Sequence, residues 1–287
     1  MVGAGAASVP SGDGLDKACD VVVFGDWHES ASWAAPTMAA VARTTPARHW
    51  YQVGDFGLWS TRPGTRGRHY LDTVQSELAR HDAQLYVVLG NHENYDLTAG
   101  FEHDEGGWGL LPPWDRIRFA PRAHAWTHPG TSMRFAALGG AGSIDLRRRT
   151  IGKTWWMAEE ITASDVADLE ALLPPDGVDV FLSHEAPAGV DVIPGEPVNG
   201  IADDKVRAYC RRQRELLQQA FEAARPRWAF HGHWHLFHTA TLTCKGPDGR
   251  PFTTRVVGLD RDGEAGNAVV LSQQLDGFSR PLDAEGT

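Results

Sequence analysis

The chain alternates short apolar runs with longer segments in which apolar residues recur at helical spacing. The short runs are rich in β-branched and aromatic residues, a composition that predicts strands. The predicted strands span residues 21–24, 49–53, 85–89, 134–138, 178–182, 227–230, 253–257 and 268–271. Nearly continuous apolar runs of this length are typical of strands that are buried on both faces of a sheet.

The segments between these runs predict helices over residues 66–81, 164–173 and 203–224. Thr162, with Asp165 three positions further on, is a suitable N-cap for the second helix. In the third helix the apolar positions follow the 3.6-residue period. These positions are Val206, Tyr209, Cys210, Leu216, Leu217, Ala220 and Phe221.

Strands that alternate with helices indicate an α/β sandwich. One stretch, residues 123–138, differs because Pro129 and Gly130 favour a turn, so this stretch predicts a β-hairpin. The chain contains no repeat of 20–50 residues and no linker that would divide it. We therefore expect a flexible leader over residues 1–18, a single domain over 19–275 and a loose polar tail over 276–287.

Composition and charge narrow the possible partners. Of the 287 residues, 42% are hydrophobic and 22% are charged, which is ordinary for a folded globular protein. The chain has 27 basic and 37 acidic residues, a formal net charge of −10. A surface with this charge repels phosphate backbones, so long DNA or RNA is not an expected partner. A local positive site remains compatible with this charge, particularly one made by bound metal ions.

Membrane and secretion signals are not apparent in the sequence. No run approaches the roughly 18 consecutive apolar residues that a membrane-spanning helix needs, and the N-terminus lacks the basic and apolar regions of a secretory signal. The 3 cysteines are far apart and form no CxxC pair, which argues against a disulfide framework. We therefore expect a reducing, cytoplasmic location and no membrane partner.

Polar residues follow five of the predicted strands, at the point where each strand ends. The segments GDWH, GDFG, GNHE, LSHE and GHWH supply Asp26, His28, Asp55, Asn91, His92, His184, His233 and His235. Ligands of open α/β sheets collect at the carboxyl ends of the strands. Carboxylate, amide and imidazole groups bind Mn²⁺, Fe²⁺ and Zn²⁺. The glycines that precede the polar residues let the backbone approach a bound group closely. The sequence thus predicts a metal site at this sheet edge.

The five segments, in this order, resemble the motifs of the calcineurin-like metallophosphoesterases. They extend from Asp26 to His235, and their combination is highly specific. The later segment GGAGSIDLRRRTIGKTWW, followed by EEIT, resembles bacterial and bacteriophage members of that superfamily. The resemblance implies a fold with two sheets and four layers, an α/β/β/α sandwich.

The resemblance also implies a centre with two divalent metal ions. Carried over by position, Asp26, His28 and His235 hold one ion, and Asn91, His184 and His233 hold the other. Asp55 bridges both ions, and His92 lies beside them without ligating either. Mn²⁺ is the favoured metal, with Fe and Zn as alternatives.

The implied chemistry is hydrolysis of a phosphate ester. Two ions roughly 3.5–4 Å apart can clamp the attacking and leaving oxygens of a phosphoryl displacement and lower the pKa of a bridging water toward about 7. That water supplies the attacking hydroxide, and His92 serves as the general acid that protonates the leaving oxygen. The expected substrate is a small phosphodiester or phosphomonoester, with nucleotides as one candidate class.

Some features of the motifs leave alternatives open. GNHE resembles the serine/threonine protein phosphatases, but GDFGLW lacks the second Asp and the Arg that follow in those enzymes. The acidic partner of His92 is undetermined, with Glu93, Asp96 and Asp104 as candidates. A metal-stabilised binding or scaffold module without catalytic activity is a second alternative, since fold alone does not establish function.

Two weaker signals lie in the later segment. Arg147, Arg148 and Arg149 are candidate substrate contacts because they could attract an anion, although a solvated basic turn also explains the run. Trp155 and Trp156 could stack on a base, but core packing is the favoured interpretation.

Overall fold

The computed structural model describes residues 20–192, 203–272 and 277–279. The predicted leader lies outside the described residues, and so does the predicted tail apart from 277–279, which form a strand. None of the described helices has the length and apolar character that crossing a bilayer requires.

Two sheets form the centre of the described structure. The first contains Asp20–Phe24 (β1), His49–Gln52 (β2), Gln84–Val87 (β3), Glu102–His103 (β4), Gly109–Leu110 (β5), Ile117–Phe119 (β6), Ala268–Ser272 (β13) and Gly277–Ser279 (β14). The second contains Ala123–Thr127 (β7), Arg134–Leu138 (β8), Val180–Ser183 (β9), Trp228–His231 (β10), His238–Lys245 (β11) and Pro251–Gly258 (β12). Their strand orders are β14-β13-β1-β2-β3-β6-β5-β4 and β11-β12-β10-β9-β8-β7.

Each sheet has a parallel centre and antiparallel margins. Strands β1, β2, β3 and β6 are parallel in the first sheet, and β8, β9, β10 and β12 are parallel in the second. The predicted hairpin is confirmed, since β7 and β8 pair antiparallel around a turn that contains Gly130 at a φ of +74°. Parallel strands end at a common edge, which is the geometry that the motif positions require.

Five helices flank the sheets within the described residues. They are Ala31–Thr44 (α1), Arg66–Arg80 (α2), Tyr95–Thr98 (α3), Ala163–Leu172 (α4) and Asp204–Ala224 (α5). The predicted start of α4 is confirmed as a capping box, in which Thr162 accepts from the Asp165 N–H and Asp165 accepts from the Thr162 N–H. Helix α1 was not predicted, because Pro36 lies inside it and its buried positions are few.

Three buried clusters show the layer order. Val23 and Tyr51 of the first sheet pack with Phe135, Leu182 and Phe230 of the second, so the two sheets meet face to face. The other face of the first sheet packs against α1 and α2. The other face of the second sheet packs against α4 and α5. This α/β/β/α arrangement confirms the predicted four-layer sandwich.

Candidate metal centre

The carboxyl ends of five parallel strands converge at one edge of the two-sheet core. The loops after β1, β2 and β3 come from the first sheet, and the loops after β9 and β10 come from the second. These loops carry all of the motif residues predicted from the sequence. The candidate centre therefore spans both sheets.

One group of donors surrounds Asp26. The donor atoms of Asp26, His28, Asp55 and His235 all lie within 4.8 Å of one another. His235 Nε2 is 3.1 Å from Asp26 Oδ2, and His28 Nε2 is 3.5 Å from Asp55 Oδ2. These are nitrogen and oxygen donors at a spacing that one divalent ion can bridge.

A second group shares Asp55 with the first. Donor atoms of Asp55, His184 and His233 lie within 4.8 Å of one another. His184 Nε2 is 3.1 Å from Asp55 Oδ1 and 3.0 Å from Asn91 Oδ1, so the Asn91 amide oxygen faces the same space. The structure thus places Asp55 between two sets of donors, the arrangement that two ions with a common ligand require.

The imidazole rings are held by their other nitrogen atoms. His28 Nδ1 is 2.9 Å from Asp262 Oδ1, and His184 Nδ1 is 2.8 Å from the Val53 carbonyl oxygen. His233 Nε2 is 3.1 Å from the Gly142 carbonyl oxygen. Because a carbonyl only accepts, these His184 and His233 nitrogens carry the hydrogen, which leaves the second nitrogen of each ring as a metal donor. The residues present therefore fit divalent metal ions.

Backbone conformation at the centre is unusual. His28, Asp55, His233 and His235 all have positive φ, between 43° and 69°. Non-glycine residues seldom adopt this region, and such strained residues cluster at functional sites. Gly54, also at positive φ, lies against the His184 ring, where any side chain would overlap it. The loop after β2 is thus packed closely against the loop after β9 at this point.

The electrostatics of the centre also favour a bound cation. The carboxylates of Asp26 and Asp55 are buried, with residue exposures of 0% and 1%. Burial opposes charge on the His184 ring, but Asp55 and Asp26 outweigh that effect and raise the His184 pKa to about 10. The same competition raises the His28 pKa to about 9, with Asp262 contributing. Buried carboxylates need positive charge beside them, and metal ions can supply it in place of ring protons.

His92 lies beside the donors, and its side chain is one-third exposed at 33%. Its ring is 6.2 Å from that of His28 and 6.4 Å from that of Trp59. The carboxylate nearest to His92 among the recorded ion pairs is Asp145, with Oδ2 at 4.0 Å from Nε2. Burial and the nearby Arg149 and His28 lower the His92 pKa, whereas Asp55 and Asp145 oppose that shift.

The sequence candidates for the partner of His92 have other bonds. Glu93 accepts from the backbone N–H groups of Gly57 and Gly90, and burial together with Asp55 raises its pKa to about 7. Asp104 accepts from the Trp108 N–H and pairs with Arg118 on the surface. Asp96 is exposed in the first turn of α3. Asp145 was not among the predicted partners, although it lies in the segment GGAGSIDLRRRTIGKTWW that follows β8.

The three consecutive arginines occupy different environments. Arg147 is exposed and its Nη2 is 2.7 Å from Asp203 Oδ2 at the N-cap of α5. Arg148 is exposed on the same turn. The Arg149 side chain is only 4% exposed and its guanidinium donates to the Asn91 carbonyl oxygen at 2.7 Å. Only Arg149 of the three has a recorded bond to a donor residue of the centre.

The tryptophans of the later segment are buried. Trp155 and Trp156 are 9% and 8% exposed, and Trp156 belongs to the core cluster around α1 and α2. Trp27 and Trp234, which lie between motif residues, donate to Asn267 and Glu185. The indole N–H groups of Trp27 and Trp234 are therefore hydrogen-bonded within the protein.

Comparison with known proteins gives the family. The family model described as calcineurin-like phosphoesterase matches residues 20–237. A dimetal phosphatase from Danio rerio has a similar structure with 14% identity and a TM-score of 0.54, over 93% of this chain and 98% of that one.

Two nucleotidase structures are more distant. A putative 5′-nucleotidase from Staphylococcus aureus is 13% identical with a TM-score of 0.48, over 92% of this chain and 53% of that chain. A 5′-nucleotidase from Candida albicans is also 13% identical, with a TM-score of 0.43, over 93% of this chain and 52% of that one. No curated protein sequence matches. Because the family model covers most of its length, the chain belongs to the calcineurin-like phosphoesterase family.

Proposed function

We propose that the chain is a phosphate-ester hydrolase that uses two divalent metal ions. Asp26, His28 and His235 hold one ion, Asn91, His184 and His233 hold the other, and Asp55 contacts both. The observation that carries this proposal is the sharing of Asp55 by two compact donor groups. Mn²⁺ is the proposed metal, since carboxylate and carbonyl ligands suit it, and Fe²⁺ and Zn²⁺ are the alternatives, since they suit the imidazole ligands.

When bound, the two ions supply Lewis acidity for a phosphoryl group and lower the pKa of water. Four of the residues that would hold these ions, His28, Asp55, His233 and His235, have positive φ, a backbone region that non-glycine residues seldom adopt. Asn91 is a neutral ligand, so it adds no negative charge that would weaken the Lewis acidity of its ion. The two buried carboxylates limit the net positive charge of the loaded centre.

His92 is the proposed general acid, which donates a proton to the leaving oxygen. Its one-third exposure leaves the ring accessible to a substrate from solvent. In the free protein burial lowers its pKa and favours the neutral ring. An anionic phosphoryl group bound beside the ring opposes this effect, and so does Asp145, since negative charge stabilises imidazolium. The substrate would thus promote protonation of its own acid.

The proposed substrates are small phosphodiesters or phosphomonoesters, and nucleotides are one class to test. A net charge of −10 disfavours long nucleic acids. Arg148, which is exposed and precedes Arg149 in the chain, is the proposed residue for attracting the anion. We propose a cytoplasmic location because the cysteine pattern suggests no disulfide framework.

A hydrolysis assay tests the function. Protein stripped by a chelator should hydrolyse neither nitrophenyl phosphate nor bis(nitrophenyl) phosphate, and added Mn²⁺ should restore hydrolysis of at least one. Asp55→Asn, which weakens the ligand that both ions share, should remain inactive after Mn²⁺ is added. Failure of wild-type protein on both substrates with Mn²⁺, Fe²⁺ and Zn²⁺ would contradict the proposal and favour a binding module.

A further inference from the structure

The segment after β8 contacts the candidate centre at Asn91, through buried polar side chains. Ser143 and Glu159 are both fully buried, at 0% exposure, and Ser143 donates a short hydrogen bond to Glu159 Oε1. Arg149 lies beside them, with Nη1 at 2.5 Å from Ser143 Oγ and Nη2 at 3.3 Å from Glu159 Oε2. The three side chains form one hydrogen-bonded cluster, which we call the bracing cluster.

The bracing cluster bonds Asn91 at two atoms. Asn91 Nδ2 donates to Ser143 Oγ at 2.9 Å. Arg149 Nη2 donates to the Asn91 backbone carbonyl oxygen at 2.7 Å. Because the amide nitrogen faces Ser143, the amide oxygen faces the opposite way, toward His184 Nε2 at 3.0 Å. The first bond orients the amide plane, and the second fixes the backbone that carries it.

The burial of these polar groups also supports a positioning role. Arg149 and Glu159 are buried beside each other, with Arg149 Nη2 at 3.3 Å from Glu159 Oε2. Burial raises the Glu159 pKa to about 8, although Ser143 and Arg149 lower it. Burying polar and charged groups costs free energy unless well-formed hydrogen bonds compensate. Replacement of such a buried polar group by apolar residues is often neutral or stabilising, so the presence of this polar cluster points to a requirement at Asn91.

We infer that Ser143, Arg149 and Glu159 are positioning residues that hold Asn91 as a metal ligand. This inference rests on the proposed function. The affinity for the ion that Asn91, His184 and His233 would hold depends on the bracing cluster. The affinity for the ion that Asp26, His28 and His235 would hold does not. Arg149 then differs from the substrate contact that the sequence suggested, because its donors are directed at protein atoms.

Metal titration of chelator-treated protein tests the inference without turnover. Isothermal titration with Mn²⁺ should show two sites in the wild type. Ser143→Ala removes the acceptor of the Asn91 amide and should weaken one site about tenfold, the low end of the effect of lost outer-sphere bonds. The other site should keep its affinity.

A double-mutant cycle separates positioning from general loss of stability. In an Asn91→Ala background, Ser143→Ala should cause no further loss of Mn²⁺ affinity, because the group that Ser143 orients is absent. Equal losses in both backgrounds would overturn the inference. Thermal melting of the chelator-treated variants checks that each one folds.

Arg149→Lys gives a second measurement, with Arg147→Lys as the matched control. Lys cannot reproduce the several directed donors of the guanidinium, so Arg149→Lys should weaken the same site as Ser143→Ala. Arg147→Lys, on the exposed ion pair with Asp203, should leave both sites unchanged. A rise in KM with unchanged Mn²⁺ affinity in Arg149→Lys would identify a substrate contact and refute positioning.

The outcomes also distinguish this inference from the proposed function. Two intact Mn²⁺ sites in Ser143→Ala, with hydrolysis retained, would refute the inference and leave the function standing. A wild-type protein that binds no divalent metal would refute both.

Discussion

Asp262 gives the sharpest test of how His28 is oriented toward the ion that it would hold. It lies after β12, beyond residues 20–237 that the family model matches, and its carboxylate is 2.9 Å from His28 Nδ1. Asp262→Ala removes this acceptor and leaves the ring of His28 free to rotate or to change tautomer. We expect weaker binding of the ion that His28, Asp26 and His235 would share.

The magnitude follows from the bond and its exposure. A hydrogen bond to a charged group contributes about 1.5–3 kcal/mol. The two side chains are 28% and 26% exposed, so solvent competes for both partners. We therefore expect the His28–Asp262 hydrogen bond to contribute about 1–2 kcal/mol to metal binding. Its removal would then lower the affinity about 5–30-fold. This range overlaps the effects of other carboxylates that orient ligating histidines.

Titration of chelator-treated protein with Mn²⁺ measures this loss. Asp262→Asn keeps an oxygen acceptor without the charge and should lose less affinity than Asp262→Ala. Glu264→Gln is the control, because it removes one exposed negative charge from the same loop. Unchanged affinity at both sites in Asp262→Ala would refute the reasoning, and so would an equal effect in Glu264→Gln.

Three further predictions address the acid, the second ion and the core. His92→Ala should reduce turnover of an alkyl phosphate ester about 10²–10⁴-fold and reduce nitrophenyl turnover far less, since nitrophenolate leaves without a proton; equal losses in steady-state assays would indicate a different role. His184→Ala should lower the metal content measured by elemental analysis from two ions to one, and two retained ions would remove His184 from the ligand set. Burial lowers the pKa of His128 to about 4, and nearby His49 adds to this effect. Stability present above pH 6.5 should therefore fall by up to about 3 kcal/mol as the pH drops from 6.5 toward 4, because the unfolded chain takes up the proton first. His128→Asn should flatten that dependence in urea unfolding at several pH values, and an unchanged slope would count against it.

The fold was largely predictable because its strongest signals are local. Apolar runs and a capping box depend on neighbouring residues, and the structure confirms the strands they predicted to within a few positions. Strand β11 was missed because its side chains alternate between half-buried and exposed, and its sequence TATLTC is mostly small and polar. Helix α1 was missed because its helical signal is interrupted by Pro36.

The motif residues of the centre could be predicted because each follows a strand end directly. The groups that orient them could not, since they are distant in sequence and are brought close only by packing. Asp262 is 234 positions from His28, and Ser143 is 52 positions from Asn91. No pattern of charge or spacing identifies such partners. Arg149 shows the same limit, because a basic run does not reveal which of its members is buried.

The donors of the centre come from both sheets, and this has a mechanical consequence. Bound ions would link the two sheets, because each sheet supplies ligands. Metal should therefore raise the melting temperature in a concentration-dependent way. Conversely, the packing between the sheets, where Tyr51 stacks on Phe135 at 5.0 Å, determines the distance between the donor groups that the two sheets supply. A small displacement of one sheet relative to the other would then change the spacing of the metal donors, even with every ligand residue still present.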